Sequence, residues 1–573
     1  MKISLKINGK KIKAEQGQTI LEIARTNNID IPSLCYHPDL PAGASCRLCL
    51  ITVKGRPLPL TACSTKAEQG MEIITESEEL NKLRKTNLEL LFSQHKEECN
   101  DCVWNKKCAL LDLAKKYNVE ITRFADRKND WPTYDFNGIL NFDSSKCIDC
   151  RNCVEACQMQ GIGYLEVVKD GDFHKVIPSK EKQCIYCGQC LAHCPAGAFE
   201  SESEFEKIEE PLRDKTKTII FQFAPSIRTS LGEEFGMRPG EITTDKIAAG
   251  LKQLGANLVF DVSVGADFTT VEEAGELLEK LKGSEAKTLF SSCCPSWVRY
   301  IECYWPEFIA NLATAAPPHI ILGRLAKTLL AEKNNLAPEN IIVVSIMPCI
   351  AKKYEARRKE HFIEWQGKIL RPVDYVLTTR ELARLFQRKN IDFERIKGQK
   401  PDNPFGNPSG AGVIYGASGG VMESALRTAL QKLKLEGMEG VELLPSRKEF
   451  NSFQAIRGQQ GIKITELEIN GKKMRMAAVN GIGNAKKILQ ELKQNPAAYS
   501  CVEVMACPGG CIGGGGQPLP ATPEIRKQRA DGLYRVDKNK KIKSAGENPI
   551  LKAIYQEFLT NEEIINKICR TKY

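Results

Sequence analysis

The sequence predicts a multidomain chain of mixed class, with small α+β metal-binding modules followed by a larger α/β half. Three observations carry this. At 573 residues the chain is too long for one hydrophobic core. Its 23 cysteines crowd into residues 35–194 in C-x2-C runs, then return at the ends of apolar segments in the second half. From Thr218 onward, strand-like and helix-like patterns alternate.

Bulk properties narrow the class further. A hydrophobic fraction of 42% is ordinary for globular protein, and no apolar run is long enough to span a bilayer. The opening MKISLKINGKKIKAEQG alternates like a strand and lacks a signal peptide's apolar core, so a cytoplasmic protein without a membrane partner is expected. In a reducing compartment the cysteines stay free of disulfides, which leaves metal as the reason for their spacing. Lys+Arg 81 against Asp+Glu 71 gives +10, a figure that cluster-bound thiolates would lower. Local basic patches for an acidic electron carrier are expected. Base-stacking and phosphate-loop motifs are absent, so nucleic acid is not.

Residues 1–78 read as a β-rich ferredoxin-like domain. Cys35, Cys46, Cys49 and Cys63 follow C-x10-C-x2-C-x13-C in a loop with Pro38, Pro41 and Gly43. Four loop thiolates suit a [2Fe–2S] cluster; a tetrahedral zinc is the alternative. Residues 79–125 form the next module. A helix over residues 79–94, with Leu80, Leu83, Leu88 and Leu91 on one side, delivers His95, Cys99, Cys102 and Cys108. This donor set fits a His-plus-three-Cys [4Fe–4S] cluster or a Cys3His zinc site, and the spacing leaves both open.

Residues 138–205 hold an internal repeat, CIDCRNCVEAC and CIYCGQCLAHCP. Each is C-x2-C-x2-C-x3-C, the two-[4Fe–4S] bacterial ferredoxin run, whose fourth cysteine serves the opposite cluster. One cluster therefore takes Cys147, Cys150, Cys153 and Cys194, and the other takes Cys184, Cys187, Cys190 and Cys157. Pro195 follows the second run, whereas Gln158 stands at the matching place after the first. The charged stretch ESESEFEKIEEPLRDKTK then reads as a solvated connector to a domain over residues 210–573.

In that domain TIIFQFAPSIR reads as a strand running into a helix with Ile227, Leu231 and Phe235 in line. Residues 244–254 make a helix stopped by Gly255, and NLVFDVS and MRMAAVNG are further strands. Three apolar strands end in thiols: TLFSSCCPSW with Cys293 and Cys294, IIVVSIMPCIAKKYE with Cys349, and VEVMACPGGCIGGGGQP with Cys507 and Cys511. Open α/β sheets bring such ends together. Glycine lets backbone approach a bulky ligand, so the last segment reads as wrapped around an inorganic cofactor. Taken alone, it could equally be a flexible loop beside an inert cysteine pair.

These segments resemble the signature motifs of the [FeFe]-hydrogenases: Ser292-Cys293-Cys294-Pro295-Ser296-Trp297, Met347-Pro348-Cys349 through Lys352 to Glu355, and Met505 through Gly515, in the family's order. The upstream pattern looks like the large bacterial form with accessory [2Fe–2S] and three [4Fe–4S] clusters, including a His-plus-three-Cys cluster at His95. The resemblance implies a two-lobed α/β catalytic domain holding the H-cluster, a [4Fe–4S] cube bridged to a diiron unit with carbon monoxide, cyanide and azadithiolate. Cys294, Cys349, Cys507 and Cys511 match the cube ligands, and Cys511 matches the bridging thiolate. Lys352 matches the ammonium that donates to one cyanide, and Ala224, Pro225 and Ser226 match the loop facing the other. Met347 and Met505 match soft packing around the diiron unit; as plain sequence they are core residues. Cys293, free of the cube, matches the thiol that passes protons, against a bland reading as a buried inert cysteine.

Glu273 and Glu276 match the family's relay carboxylates, on a helix opened by Thr270 that passes Lys280 and reaches Gly283; locally they also read as a capping box and a surface pair. The chain departs from the family pattern nearby. Ala313 stands at the relay serine, Pro317 and His319 replace serine and glutamine, Lys280 replaces arginine and Ser296 replaces glycine. Alanine cannot pass a proton, so Thr314 or an ordered water bridges Glu273 to Glu276, or protons leave past His319. Cys303, Cys501 and Cys569 match no ligand. The expected activity is reversible reduction of protons to dihydrogen, with ferredoxin or a similar acidic carrier as electron partner, diiron maturation proteins, and further redox subunits as added partners. The rivals are the catalytic subunit of an NAD(P)-linked electron-bifurcating complex, a hydrogen sensor, and an iron–sulfur assembly protein of the same fold.

Overall fold

The structure is a computed structural model that describes all residues except 101, 121–122, 129–130, 172, 283–286, 436–455 and 470–471. The chain divides into two compact units, residues 1–158, 162–182 and 189–200, and residues 159–161, 183–188 and 201–573.

In the first unit a five-stranded sheet opens the chain, built from Lys2–Ile7, Lys10–Glu15, Leu50–Val53, Leu60–Thr61 and Glu72–Ile74. Alternation puts Ile3, Leu5 and Ile7 on the buried face. Ser77 caps the helix Glu78–Phe92 by accepting from the Leu80 amide. Leu80, Leu88 and Leu91 are buried as expected, while Leu83 stays exposed. Arg84 of this helix is fully buried and donates to the carbonyls of Leu48, Leu50 and Thr75, fastening the helix to the loop that carries Cys46 and Cys49. A second sheet joins Thr133–Asp135, Leu140–Asp143 and Phe199–Ser201, with Phe142 and Phe199 stacked at 4.3 Å.

The second unit holds two four-stranded sheets, the layers of two α/β lobes. One is wholly parallel, in the order Leu258–Asp261, Thr218–Phe223, Ile341–Met347, Tyr375–Thr378. Its central strand is buried along almost its whole length, as a strand covered on both faces must be. The other runs Leu289–Phe290, Cys501–Met505, Lys472–Asn480, Ile462–Ile469, with only the last pairing antiparallel.

Three local expectations change. The charged stretch after residue 200 is not a solvated connector. It forms the helix Phe205–Arg213, which lays Phe205 and Ile208 into the catalytic core. Burying those two side chains contributes roughly 1.5–3 kcal/mol each, and their i, i+3 spacing was the signal that charge obscured. The segment after Thr218–Phe223 makes two short 3-10 turns, Pro225–Thr229 and Leu231–Phe235, instead of one helix. There the Thr229 and Ser230 hydroxyls donate to the Ser226 carbonyl and compete with regular helix bonding. Finally, Thr270 does not open a helix. It lies inside Val262–Lys282, its hydroxyl donating to the Ala266 carbonyl at 2.7 Å, so no capping box forms. The expected end at Gly283 lies outside the described residues.

Candidate active site and cluster sites

The three thiol-bearing strands come from both sheets of the second unit, so their cysteines meet between two layers and not along one sheet edge. Cys293 and Cys294 follow Leu289–Phe290, and Cys294 caps the helix Pro295–Tyr304. Cys349 follows Ile341–Met347, and Cys507 and Cys511 follow Cys501–Met505. A largely apolar cavity lies among them. Cys293, Cys349 and Cys511 line it, together with Lys352, the pair Met347 and Met505, and Ala224, Pro225 and Ser226.

Part of the glycine run is required by packing within the protein. A Cβ on Gly514 would sit 2.2 Å from the Pro348 carbonyl oxygen, and one on Gly510 would sit 2.6 Å from the Ser418 amide. Gly510 also has φ +95°, which favours glycine. The run is therefore packed against protein, and the Gly516 amide donates to Pro348 at 2.8 Å, locking the Cys507–Cys511 loop to the Cys349 turn. Gln517, fully buried, completes the lock. Its amide nitrogen donates to Ser226 Oγ and to the Cys511 carbonyl, both at 3.2 Å, and its oxygen accepts from Ser230 and Thr379. Sequence reasoning missed Gln517; the only signal was a polar residue ending a glycine run.

Burial and mutual repulsion raise the thiols of this site. Burial and the neighbouring thiols push Cys507 and Cys511 up, and burial with Cys294 pushes Cys349 up to about 12. Burial raises Cys294 too, against the Ala506 amide that points at its sulfur from 3.5 Å. Cys293 is raised by burial, next by Glu273, and also by Cys294 and Cys511. Thus the five thiols share one buried field: Cys294 acts on Cys349, Cys507 and Cys511, and Cys293 feels Cys294, Cys511 and the Glu273 carboxyl. Four buried thiolates are tolerable only around a cationic centre, and an all-sulfur set is the donor chemistry of iron–sulfur clusters or zinc. The donor set and the cavity beside it fit the cube and its diiron extension.

Two polar arms meet Cys293. On one, Lys352 Nζ donates to the Cys293 carbonyl at 3.1 Å and to Glu355 at 2.6 Å. His319 Nε2 donates to the same carboxylate oxygen at 2.5 Å, and its Nδ1 accepts from Ser345, which accepts from Gln222. Burial pushes Glu355 up, yet Lys352 and His319 override it and hold the carboxyl at about 2. Burial and then the Lys352 charge lower His319, so the imidazole is neutral. Glu355 ends the second motif but was given no role from sequence. On the other arm, Glu273 is buried, with one carboxyl oxygen lacking a hydrogen-bond partner among the described residues. Burial, then Glu276 and Glu503, push it well above the ordinary range. Thr314, at the surface, donates to Glu276 from its hydroxyl at 2.8 Å and its amide at 2.9 Å. Burial raises Glu276 against those bonds.

The accessory donors of the first unit also group. Cys35, Cys46, Cys49 and Cys63 are buried as two touching pairs: Cys46 holds Cys35 down to about 5, and Cys63 holds Cys49 down to about 7. Cys194 lies within the field of Cys147, Cys150 and Cys153, each of which it pushes up after burial. His95 bonds the Lys146 carbonyl through Nδ1 at 2.8 Å and shares an open pocket with Cys99 and Cys108; Cys102 lies within the influence of Cys108. In the second unit the Cys507 thiol lies 3.9 Å from the Cys187 carbonyl, and Arg299 donates to the Cys184 carbonyl at 2.7 Å. Cys501 and Cys569 are buried, Cys303 half-buried.

This fold and site define an iron–sulfur oxidoreductase with a thiolate-bound catalytic cluster. Residues 217–515 match the family model for the C-terminal domain of the iron-only hydrogenase large subunit, and residues 523–573 match the iron hydrogenase small subunit. Upstream matches are a [2Fe–2S] cluster binding domain over 1–78, a region of NADH-ubiquinone oxidoreductase-G over 84–123 and a [4Fe–4S] dicluster domain over 146–198. The chain is 36% identical to the NADP-reducing hydrogenase subunit HndD of Solidesulfovibrio fructosivorans, covering 97% of this chain and 96% of that one. It is also 36% identical to iron hydrogenase 1 of Clostridium pasteurianum, covering 96% of each. A variant of apo [FeFe]-hydrogenase HydA1 from Chlamydomonas reinhardtii superposes with a TM-score of 0.55 at 33% identity, over 65% of this chain and 98% of that one.

The chain belongs to the [FeFe]-hydrogenase family. It is a hydrogenase with an H-cluster domain and accessory [2Fe–2S] and [4Fe–4S] domains, and it catalyses the reversible reduction of protons to dihydrogen. Among the described residues no helix is long and apolar enough to cross a membrane.

Proposed function

We propose that Cys294, Cys349, Cys507 and Cys511 hold the H-cluster cube, with Cys511 as the bridge, and that Cys293 is the thiol through which protons reach it. One observation carries this: buried thiols from three strand ends converge on one apolar cavity lined by Cys293, Cys349, Cys511 and Lys352, with Glu273 acting on Cys293. When bound, the H-cluster supplies the redox-active iron and the base at which dihydrogen is split or formed. The chain's own residues do the rest. Lys352, its charge fixed by Glu355, offers an ammonium to the diiron unit, while the Ala224, Pro225 and Ser226 loop faces it with Ser226 as the donor, and Met347 and Met505 keep water out. Cys293 Sγ holds a proton and exchanges it with Glu273, whose raised proton affinity keeps the carboxyl neutral in a dry interior. Glu276, with Thr314 beside it, is the outer station.

Electrons are carried by the accessory clusters. Cys35, Cys46, Cys49 and Cys63 hold [2Fe–2S]. His95, Cys99, Cys102 and Cys108 hold one [4Fe–4S]. Cys147, Cys150, Cys153 and Cys194 hold the second, and Cys157, Cys184, Cys187 and Cys190 the third. The domains follow as 1–78, 79–125, 138–205 and 210–573. Ferredoxin or a similar acidic carrier is the electron partner, docking on local basic patches, in the cytoplasm, with maturation proteins delivering the diiron unit.

A second reading has specific support. The match to an NADP-reducing hydrogenase subunit favours further redox subunits that supply a nicotinamide site. Anaerobic co-purification decides between a lone chain and a complex. The test of the main reading is infrared spectroscopy of protein matured with the diiron unit, followed by hydrogen evolution from a reduced carrier. Bands of iron-bound carbon monoxide and cyanide with turnover are expected; a matured preparation with neither would overturn it.

A further inference from the structure

We infer that His37, Asp39 and His193 form a binding site for a divalent transition cation in the first unit, separate from every iron–sulfur cluster. One ligand atom from each lies within 4.8 Å of the other two. His37 Nδ1 is 3.7 Å and His193 Nε2 is 3.8 Å from the same carboxylate oxygen, Asp39 Oδ2. The two imidazoles meet edge to face with centroids 4.3 Å apart.

The state of His193 points to a ligand. The ring is 7% exposed, and its Nε2 is buried without a hydrogen-bond partner among the described residues. Its Nδ1 lies 2.7 Å from the Gln189 carbonyl, which can only accept, so Nδ1 donates there and Nε2 is the nitrogen left to face Asp39. A metal-bound histidine is set up in this way, its far nitrogen fixed by a backbone carbonyl. An orphaned imidazole nitrogen in a buried place costs free energy unless something occupies it. The Asp39 amide reaches His37 Nδ1 at 3.2 Å and holds that ring beside the carboxylate; a cation would take this lone pair in exchange.

Distances and donors set the class of ion. Zinc bonds of about 2.0–2.1 Å in a tetrahedral site place donors roughly 3.4 Å apart, so the His–Asp distances of 3.7 and 3.8 Å have to close by a few tenths of an ångström, and the two ring nitrogens, within 4.8 Å, draw together with them. Two imidazoles and one carboxylate suit zinc, cobalt or nickel and disfavour calcium or magnesium. His37 and Asp39 are half-buried, which leaves room for water as a fourth ligand. Such an ion would tie the loop after Cys35 to the segment before Cys194, a clip between the [2Fe–2S] module and the repeat.

The test uses full-length protein with its clusters intact. Anaerobic holoprotein is treated with a mild chelator, incubated with Zn²⁺, desalted and analysed for zinc and iron. The site predicts about one retained zinc per chain with iron unchanged. Asp39→Asn and His37→Gln should each lose that zinc while keeping the wild-type iron content and the electron paramagnetic resonance of the reduced [2Fe–2S] cluster. Both lie on the half-exposed loop, so the test does not depend on His193→Gln, which adjoins Cys194. Zinc retained equally by the variants, or none retained by the wild-type protein, overturns the site.

Discussion

The two arms that meet at Cys293 contain the same kind of group in opposite states. Glu355 is buried but fully partnered, taking Lys352 at 2.6 Å and His319 at 2.5 Å on one oxygen, and it is held ionised at about 2. Glu273 is as deeply buried, has an unpartnered oxygen among the described residues, and is held neutral. Burial alone therefore decides nothing about a carboxyl's role. A carboxylate locked between two donors fixes geometry and has no proton to give, whereas one kept neutral with a spare oxygen can accept and release one. The difference makes the Glu355 arm a clamp for Lys352 and the Glu273 arm the proton side.

The largest break in that contrast comes at the thiol both arms share. Cys293→Ala should lower hydrogen evolution roughly 10³- to 10⁴-fold, the upper range for removing one general acid–base group. The infrared bands of the bound diiron unit should persist, since Cys293 is outside the ligand set. Loss of those bands along with turnover would mean that Cys293 binds metal, and the division between Cys293 and Cys294 would be wrong.

Glu273→Gln and Glu355→Gln should separate in opposite directions. The first is expected to cost about 10²-fold in turnover, again within the general acid–base range, and nothing in stability. The sign follows from linkage. Glu273 has its folded proton affinity raised, so the neutral form is compatible with the fold, and stability drops as pH rises from about 4.3 through the folded value. Glutamine removes that loss. Glu355 has its folded value depressed to about 2, so its contribution is present above about 4.3 and disappears as pH falls through about 2. Glutamine there strands Lys352 without its carboxylate and should cost about 3–5 kcal/mol, as breaking a buried pair does. Denaturant unfolding across pH 4 to 8 checks both. Equal destabilisation by the two variants would erase the distinction between clamp and relay.

His319→Gln tests the clamp more gently. Glutamine still donates to Glu355, so turnover should fall by less than about tenfold, under about 1.4 kcal/mol of activation free energy. A fall matching that of Glu273→Gln would instead place the proton exit on the His319 side.

These contrasts were only partly legible in the sequence. The cysteine spacing and three short motifs carried the domain plan, because ligand geometry forces residue types at fixed offsets. The alternation of strand and helix likewise marked both lobes. What stayed hidden was non-local. Nothing near Glu355 says that His319, 36 residues away, donates to it, and nothing near Gly514 says that its missing Cβ makes room for Pro348. Charge misled as well. ESESEFEKIEEPLRDKTK looks solvated until Phe205 and Ile208 are seen at helical spacing on a buried face. Thr270 looked like a cap because Glu273 follows three residues later, but Asp261 leads directly into Val262–Lys282 and the helix is already two turns old at Thr270.

The smallest effect concerns the outer end of the proton arm, where the chain has Ala313 and Thr314. Thr314 Oγ1 donates to Glu276 at 2.8 Å, and no bond from Thr314 to Glu273 is present among the described residues. The threonine therefore holds Glu276 at the surface, and passage between the two carboxyls falls to water. Thr314→Val keeps the shape and the amide bond at 2.9 Å but removes the hydroxyl. It should slow turnover by no more than about threefold, the cost of one exposed hydrogen bond, while Glu276→Gln should slow it by about tenfold or more as a titrating group is lost. The proton flux carried by the Glu273 arm is then limited by Glu276 itself and not by its hydroxyl neighbour. If Glu276→Gln leaves turnover unchanged, protons leave Glu273 by another path, and the surface threonine and glutamate are a structural pair at the end of a helix.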